Sequence, residues 1–293
     1  MTKEEFRKLT ENILLLDGAT GSNLMASGMP RGICTETWVI EHKDIIQELQ
    51  RSYIEAGSQI IYAPTFGGNR INLKKHGLQD RIEEINRTLV GYSREVAPEG
   101  VYVAGDITTS GEFIIPDGDD EDYTYDTAFQ MYQEQVRILC DAGVDLIVAE
   151  TMISIDETLA AVDAVRSVCD LPIMCSVTVD ADGSIFSGGN AIEAAISLEA
   201  AGADAVGINC SVGPDQLVSV VRSIKEKVSI PVIAKPNAGM PTIDGNGTAV
   251  YHMTPEDFAR HMKVLTENGA SIIGGCCGTS PAFIKAMHDI ICD

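Results

Sequence analysis

The sequence is poor in basic residues, aromatic residues and cysteine. It has 21 Lys and Arg against 43 Asp and Glu, a formal net charge of −22, and only 5% aromatic residues. A surface this acidic repels phosphate backbones and anionic lipids, which argues against binding to nucleic acid or to a membrane surface. Eight cysteines in 293 residues are too few for a disulfide framework. Thiols used so sparsely are typical of core packing or of a metal or catalytic site.

Long apolar segments and nucleotide-binding motifs are also missing. No window approaches 18 uncharged apolar residues, and the first eleven residues mix both charge signs without an apolar stretch. We therefore expect a soluble, cytoplasmic protein. Neither G-x-G-x-x-G nor G-x-x-x-x-G-K-[ST] occurs at a strand-to-helix turn. This absence disfavours a doubly wound nucleotide-binding sheet.

The chain contains a repeated alternation of two kinds of segment. Eight short apolar runs are continuous rather than alternating, as expected for parallel strands covered on both faces. Stretches with helical spacing separate these runs, and several end in a glycine that suits a left-handed helix cap. Eight such units predict a single (β/α)₈ TIM barrel over residues 1–293, with an open α/β sheet as the alternative. The runs are 13–17, 59–64, 101–106, 145–151, 172–179, 205–210, 231–237 and 271–277.

Three cysteines fall at predicted strand ends, where barrels of this class carry their reacting groups. Cys210 ends the sixth strand, and Cys276 and Cys277 end the eighth. Three thiolates at one rim suit a catalytic Zn²⁺ that keeps a fourth position open. Adjacent strand residues point to opposite faces, so Cys276 and Cys277 can share a metal only if the strand breaks at the neighbouring glycines. A redox disulfide between them is the alternative, and we assign the other cysteines to the core: Cys34, Cys140, Cys169, Cys175 and Cys292.

Asp17 and Glu150 end the first and fourth predicted strands and face the same mouth. Two acids beside a cationic metal suggest capture of an ammonium group, with helix capping or rim hydrogen bonding as the alternative. The backbone amides of residues 18–21 lie at a strand-to-helix turn and could hold a carboxylate. Together these groups predict a pocket for an amino acid with a soft, metal-seeking side chain.

Four motifs, LLDGATGS, GINCS, PNAG and GGCCGT, occur in this order along the chain. The set resembles the homocysteine S-methyltransferase family over essentially the whole chain, and within it the homocysteine-binding barrel of cobalamin-dependent methionine synthase. The resemblance implies that a bound Zn²⁺ activates homocysteine to accept a methyl group, giving methionine. It also implies ligands and contacts: Cys210, Cys276 and Cys277 for the metal, Asp17 and Glu150 for the amino group, Asn237 beside the metal, and Gly18, Ala19 and Thr20 for the carboxylate.

The identity of the methyl donor is a separate question. Betaine-using members of the family carry an aromatic residue directly after the barrel glutamate, where this chain has Thr151, and we expect Trp38 in rim packing. No D-x-H-x-x-G corrinoid motif occurs in the 293 residues. We therefore expect a methylated corrinoid protein supplied in trans, with a sulfonium such as S-methylmethionine as the second candidate.

Two other functions are compatible with the sequence. The chain could be a homocysteine- and zinc-binding subunit that is inactive without its partner. Lys235, near the end of strand seven, could instead form a Schiff base with a carbonyl substrate, although this leaves the cysteines unused.

Two long connections are also notable. The acidic run within 116–126 is expected to be a solvated loop, and residues 237–253 are expected to form a lid or a surface excursion.

Overall fold

The computed structural model describes residues 1–119, 122–245 and 249–292, and its central sheet is an eight-stranded parallel barrel. Each strand pairs with its neighbour in sequence, and the last also pairs with the first. A parallel bridge between Leu16 and Ile60 joins the first strand to the second. The predicted (β/α)₈ fold is confirmed. The barrel strands are β1 Leu14–Leu15, β2 Ile60–Tyr62, β3 Tyr102–Ile107, β4 Leu146–Met152, β5 Ile173–Val177, β6 Ala205–Cys210, β7 Val232–Pro236 and β8 Ala270–Ile273.

The helices cover the outside of the barrel. They are α1 Lys3–Leu9, α2 Gly21–Ala26, α3 Thr35–Glu41, α4 Lys43–Glu55, α5 Arg70–Lys74, α6 Ile82–Val96, α7 Tyr125–Ala142, α8 Ile155–Val168, α9 Ala191–Ala200, α10 Val218–Lys225, α11 Pro255–Glu267 and α12 Pro281–Met287. Two 3₁₀ turns, Gln79–Arg81 and Pro214–Gln216, and a final π-helical turn, His288–Cys292, complete the set. In the part of the chain that the structure describes, no helix is both long and apolar enough to cross a membrane.

The predicted helix ends are present at the expected glycines. Gly57, Gly143, Gly202 and Gly269 all have φ between 89° and 111°, in the left-handed region. Glycine adopts this conformation without a steric penalty, so the chain can leave each helix and return to the next strand. The sequence pattern did not predict the short helices α1, α2, α3 and α5.

The interior of the barrel is apolar towards the amino ends of the strands. Alternate strand residues point inward, and those nearest the amino ends form one buried cluster. Phe6 of α1 belongs to the same cluster, so α1 closes this end of the barrel. We call this set the lower layer: Phe6, Leu14, Leu16, Ile60, Tyr62, Ala104, Leu146, Val148, Met174, Ala205, Ile233 and Ile272.

Two residues further along several strands, the inward positions become polar. Asp106 follows Ala104 on β3, Glu150 follows Val148 on β4, and Lys235 follows Ile233 on β7. Ser176 follows Met174 on β5 in the same way, and Asn209 of β6 is paired in register with Lys235. All five side chains are buried. We call these five residues, with Asp17 after β1, the upper layer. The change from apolar to polar residues places a charged pocket at the carboxyl ends of the strands.

Candidate functional site

Three cysteine sulfurs converge at the carboxyl end of the barrel. The Sγ atoms of Cys210, Cys276 and Cys277 all lie within 4.8 Å of one another. β8 ends at Ile273, so Cys276 and Cys277 lie in the turn that follows the strand rather than in it. This is the strand break that a shared metal requires.

Short hydrogen bonds hold the turn that carries the cysteine pair. The Cys276 N–H donates to the Pro236 carbonyl over 2.7 Å, and the Thr279 hydroxyl donates to the Cys276 carbonyl over 2.8 Å. A Cβ atom at Gly275 would lie 2.5 Å from the Thr279 hydroxyl oxygen. Glycine is therefore required at position 275 for the turn to fold back on itself.

Three residues beside the pocket have left-handed backbone conformations that side chains disfavour. The φ angles are 57° at Thr151, 57° at Cys210 and 64° at Ser211. Such conformations cost about 1–3 kcal/mol each and persist only where surrounding contacts impose them. They turn the ends of β4 and β6 so that Glu150 and the Cys210 thiol approach the same pocket.

Asn209 supplies much of this restraint. Its Oδ1 accepts hydrogen bonds from the Thr151 N–H at 2.7 Å and from the Ser176 hydroxyl at 2.8 Å. Its Nδ2 donates to the Thr151 hydroxyl at 2.7 Å and to Glu150 Oε2 at 3.4 Å. One buried amide thus connects β4, β5 and β6 and fixes the Glu150 carboxylate next to the strand that carries Cys210.

Lys235 is the buried cation of the upper layer. Its Nζ lies 3.5 Å from Asp17 Oδ1 and 3.6 Å from Glu150 Oε2, and 4.6 Å from the centre of the Tyr62 ring. The Tyr62 N–H also donates to Asp17 Oδ2 over 2.7 Å. The two acids predicted to hold an amino group therefore already share one ammonium group of the protein.

Burial shifts the pKa values of the upper-layer acids upward. It raises the pKa of Glu150 from 4.5 to about 7, against the opposing effect of Lys235, and it raises those of Asp17 and Asp106. Burial alone would lower the pKa of Lys235, but the carboxylates of Glu150 and Asp17 hold it well above the ordinary value. Lys235 is thus a protonated ammonium and not the free amine that a Schiff base requires.

Two buried oxygens at the site, Asp106 Oδ1 and Asn237 Oδ1, accept no hydrogen bond within the described residues. Asp17 Oδ1 differs from them because it faces the Lys235 ammonium at 3.5 Å. The Asn237 side chain is oriented by its Nδ2, which donates to the Ser211 carbonyl over 2.8 Å. A buried oxygen without a partner is costly, so these atoms are candidates for contacts with a ligand or metal.

The turn after β1 fits its predicted role less well. The Ala19 N–H donates to the Thr279 hydroxyl over 3.1 Å, so this amide already has an acceptor. The Gly18 backbone packs so closely on Tyr53 that a Cβ would lie 2.7 Å from the Tyr53 hydroxyl. Carboxylate binding by Gly18 and Thr20 remains a prediction, whereas Ala19 would first have to release Thr279.

Within the described residues, Trp38 and Tyr251 each pack against another part of the chain. Trp38 is buried in an apolar cluster on α3 and stacks on His42, with 4.0 Å between ring centroids. In the connection after β7, the Tyr251 ring packs on Gly278, so this residue of the predicted lid segment lies against the cysteine turn. Residues 246–248 of that segment, and residues 120 and 121 of the acidic run of 116–126, lie outside the described residues.

Sequence reasoning did not assign site roles to Asp106 or Asn209. Asp106 lies in β3 one residue before its end, and Asn209 precedes Cys210 at the end of β6. The strand-end rule that selected Asp17 and Glu150 applies equally to both residues. The hydrogen bonds of Asn209 could not be predicted, because they depend on the register between β4, β5 and β6.

Sequence comparison relates this chain to methionine synthases. The chain is 30% identical over 297 residues to methionine synthase from Mycobacterium tuberculosis and 29% identical to methionine synthase from Mycobacterium leprae. Each alignment covers 95% of this chain and 24% of the relative, so the chain spans about a quarter of the length of these curated relatives.

Solved structures show the same fold. The metallated form of the homocysteine methyltransferase MmuM from Escherichia coli superposes with a TM-score of 0.77 at 21% identity, covering 97% of this chain and 99% of that one. Its apo form gives a TM-score of 0.73 at 23% identity. The sequence model described as homocysteine S-methyltransferase matches residues 14–291, which run from β1 to the last turn. A match that includes every barrel strand and all three clustered cysteines shows that the chain belongs to the homocysteine S-methyltransferase family of enzymes.

Proposed function

We propose that this barrel transfers a methyl group to the thiol of homocysteine to give methionine, with a Zn²⁺ held by Cys210, Cys276 and Cys277. The observation that carries this proposal is the convergence of three thiols within 4.8 Å at the mouth of the barrel. When bound, Zn²⁺ would supply a Lewis acid that lowers the pKa of a coordinated thiol, so that a nucleophilic sulfur exists at neutral pH.

The donor set fits zinc. Three protein ligands with one open position are typical of catalytic zinc. Thiolates are soft ligands that suit zinc, whereas Mg²⁺ and Ca²⁺ bind oxygen ligands. Asn237 Oδ1 is buried without a hydrogen-bond partner among the described residues. Asn237 is bonded to the Cys210 segment at both its backbone and its side chain, because its N–H donates to the Cys210 carbonyl and its Nδ2 to the Ser211 carbonyl. We infer that it is an additional oxygen ligand when no substrate is present.

The upper layer would recognise the amino group of homocysteine. The layer contains three buried carboxyl groups, those of Asp17, Asp106 and Glu150. Its buried cation, Lys235, forms ion pairs with Asp17 and Glu150. A substrate ammonium would bring the missing positive charge, and it would favour the ionised form of each carboxyl group. The raised pKa of Glu150 is therefore consistent with a site that awaits a cationic group.

The mouth of the barrel favours a donor that a protein delivers. The connections after β3, β5 and β7 carry exposed apolar side chains. Phe186 is 79% exposed, and the centre of its ring lies 6.0 Å from that of Phe113. Apolar groups concentrated around a pocket on an otherwise acidic chain indicate a protein-docking surface more than a site for a small polar donor. We therefore infer a methylated corrinoid protein as donor, with a sulfonium as the alternative. The exposed residues are Phe113, Ile115, Phe186, Met240 and Ile243.

A donor comparison with the zinc-supplemented chain tests this function. Homocysteine is incubated with a methylated corrinoid protein, S-methylmethionine or glycine betaine, and methionine is quantified. We expect methionine from the corrinoid protein and none from betaine. Methionine from S-methylmethionine alone would reassign the donor. Homocysteine binding without turnover from any donor would favour the subunit interpretation, and failure to bind homocysteine would overturn the proposal.

A further inference from the structure

A second group of cysteines lies at the opposite end of the barrel. Cys140 is in the last turn of α7, and Cys169 follows the last residue of α8. Barrel helices run antiparallel to the strands, so both residues lie near the amino ends of the strands, away from the metal-binding cysteines. Their Sγ atoms are 3.2 Å apart although the residues are separated by 29 positions in the chain.

The surroundings of this pair favour thiol chemistry. Both residues are half-buried rather than enclosed in the core. Cys140 Sγ donates a hydrogen bond to Cys169 Sγ, and this bond lowers the pKa of Cys169 to about 6. The Leu171 N–H and the Arg166 guanidinium act in the same direction. Asp170, like partial burial, opposes them.

We propose that Cys140 and Cys169 form a reversible disulfide by exchange with a low-molecular-weight disulfide such as oxidised glutathione. The Cys169 thiolate attacks one glutathione sulfur, which breaks the glutathione disulfide and releases one glutathione thiol. Cys140 then loses its proton and attacks the Cys169 sulfur of the mixed disulfide, and the second glutathione thiol leaves. Two protein thiols are oxidised to one disulfide, and one glutathione disulfide is reduced to two thiols.

This bond would join two neighbouring helices without reaching the active site. It would tie the end of α7 to the end of α8 and so limit the conformations of the unfolded chain. The site at the other end of the barrel uses Cys210, Cys276 and Cys277, none of which contributes to the pair. The inference therefore goes beyond the proposed methyl transfer and does not depend on it.

Peptide mapping after controlled oxidation tests the proposal. The full chain, supplemented with zinc to occupy the mouth cysteines, is equilibrated with mixtures of reduced and oxidised glutathione and then alkylated. We expect two fewer alkylated thiols, a mass lower by two hydrogen atoms, and a linked peptide that contains Cys140 and Cys169. The urea midpoint of the oxidised protein should rise relative to the reduced protein.

Single variants separate this bond from other oxidation. Cys140→Ser and Cys169→Ser should lose the linked peptide and the shift in urea midpoint, whereas Cys292→Ser, at an exposed cysteine elsewhere, should retain both. The count of alkylated thiols and the linked peptide are both measured on the wild-type protein. A variant that fails to fold therefore does not decide the result. Stable glutathione adducts on Cys140 or Cys169 in place of the link, or both residues still alkylated at every glutathione ratio, would overturn the proposal. A link among the mouth cysteines would count against zinc binding there and not against this pair.

Discussion

The lower and upper layers of the barrel interior are built from the same strands but differ in chemistry. The lower layer contains apolar side chains that pack on one another and on Phe6. The upper layer, nearer the carboxyl ends of the strands, contains three carboxyl groups, one ammonium and the Asn209 amide. Burying apolar groups stabilises the fold by about 25 cal/mol per Å², whereas burying charged groups is costly.

The difference shows that apolar packing lies at one end of the barrel interior and that buried charge and strained backbone lie at the other. The left-handed residues Thr151, Cys210 and Ser211 and the raised pKa of Glu150 are all found at the upper end. The lower layer compensates for these costs through packing. Substitutions in the two layers should therefore differ in their dependence on metal, pH and substrate.

The largest effect is expected at the proposed metal ligands. Cys276→Ser and Cys277→Ser each remove one thiolate from the three-cysteine cluster. Structural zinc in zinc-finger peptides provides about 10–16 kcal/mol in total, so loss of one ligand should weaken binding by on the order of a thousandfold. Metal analysis and competition with a chromophoric chelator measure the change, with Cys292→Ser as the control. Unchanged zinc affinity in both variants would exclude the proposed site.

Lys235→Met and Ile233→Ala compare the layers directly on one strand. Removing the buried ammonium leaves carboxylates without their cation and should cost about 3–5 kcal/mol at pH 7. Ile233→Ala should cost about 2–5 kcal/mol through a cavity. The Lys235→Met penalty should shrink as the carboxyl groups take up protons at lower pH, whereas the Ile233→Ala penalty should not. Urea unfolding from pH 5 to 8 measures both, and parallel pH profiles would contradict the distinction.

Glu150→Gln should change the pH dependence of stability. Folding raises the pKa of Glu150 from 4.5 to about 7, so its contribution to stability is complete below pH 4.5 and is lost as the pH rises through 7. A shift of this size corresponds to roughly 3 kcal/mol. Both proteins are compared without zinc. As the pH rises from 4.5 to 8, the free energy of unfolding should fall less for Glu150→Gln than for the wild type. An identical decline in both proteins would show that another group is responsible.

The smallest of the expected effects concerns substrate recognition. Asp17→Asn and Glu150→Gln should each weaken homocysteine binding by about 1.5–3 kcal/mol through loss of a charge-assisted hydrogen bond. Calorimetry on zinc-supplemented protein measures the affinity, and Glu226→Gln, at an exposed position after α10, is the matched control. Normal binding by both site variants would show that the amino group is held elsewhere.

Residues at strand ends could be located from the sequence, whereas contacts that depend on helix packing could not. Continuous apolar runs located every barrel strand, and the barrel rule then brought Cys210, Cys276 and Cys277 to one mouth. The eighth run was extended to 277, whereas β8 ends at Ile273 because the chain turns at the following glycines. The proximity of Cys140 to Cys169 depends on how α7 packs on α8, and periodicity contains no information on that packing.

The chain order of the three proposed metal ligands has a consequence for assembly. All three cysteines lie in the last third of the sequence, and the Cys276 N–H is held by the Pro236 carbonyl at the end of β7. β8, just before the cysteine pair, lies between β7 and β1, so its insertion completes the ring of strands. The proposed metal site therefore needs β8 in place beside β7, whereas β1 contributes none of its ligands. We expect zinc uptake during refolding to report the insertion of β8, later than the appearance of helical structure.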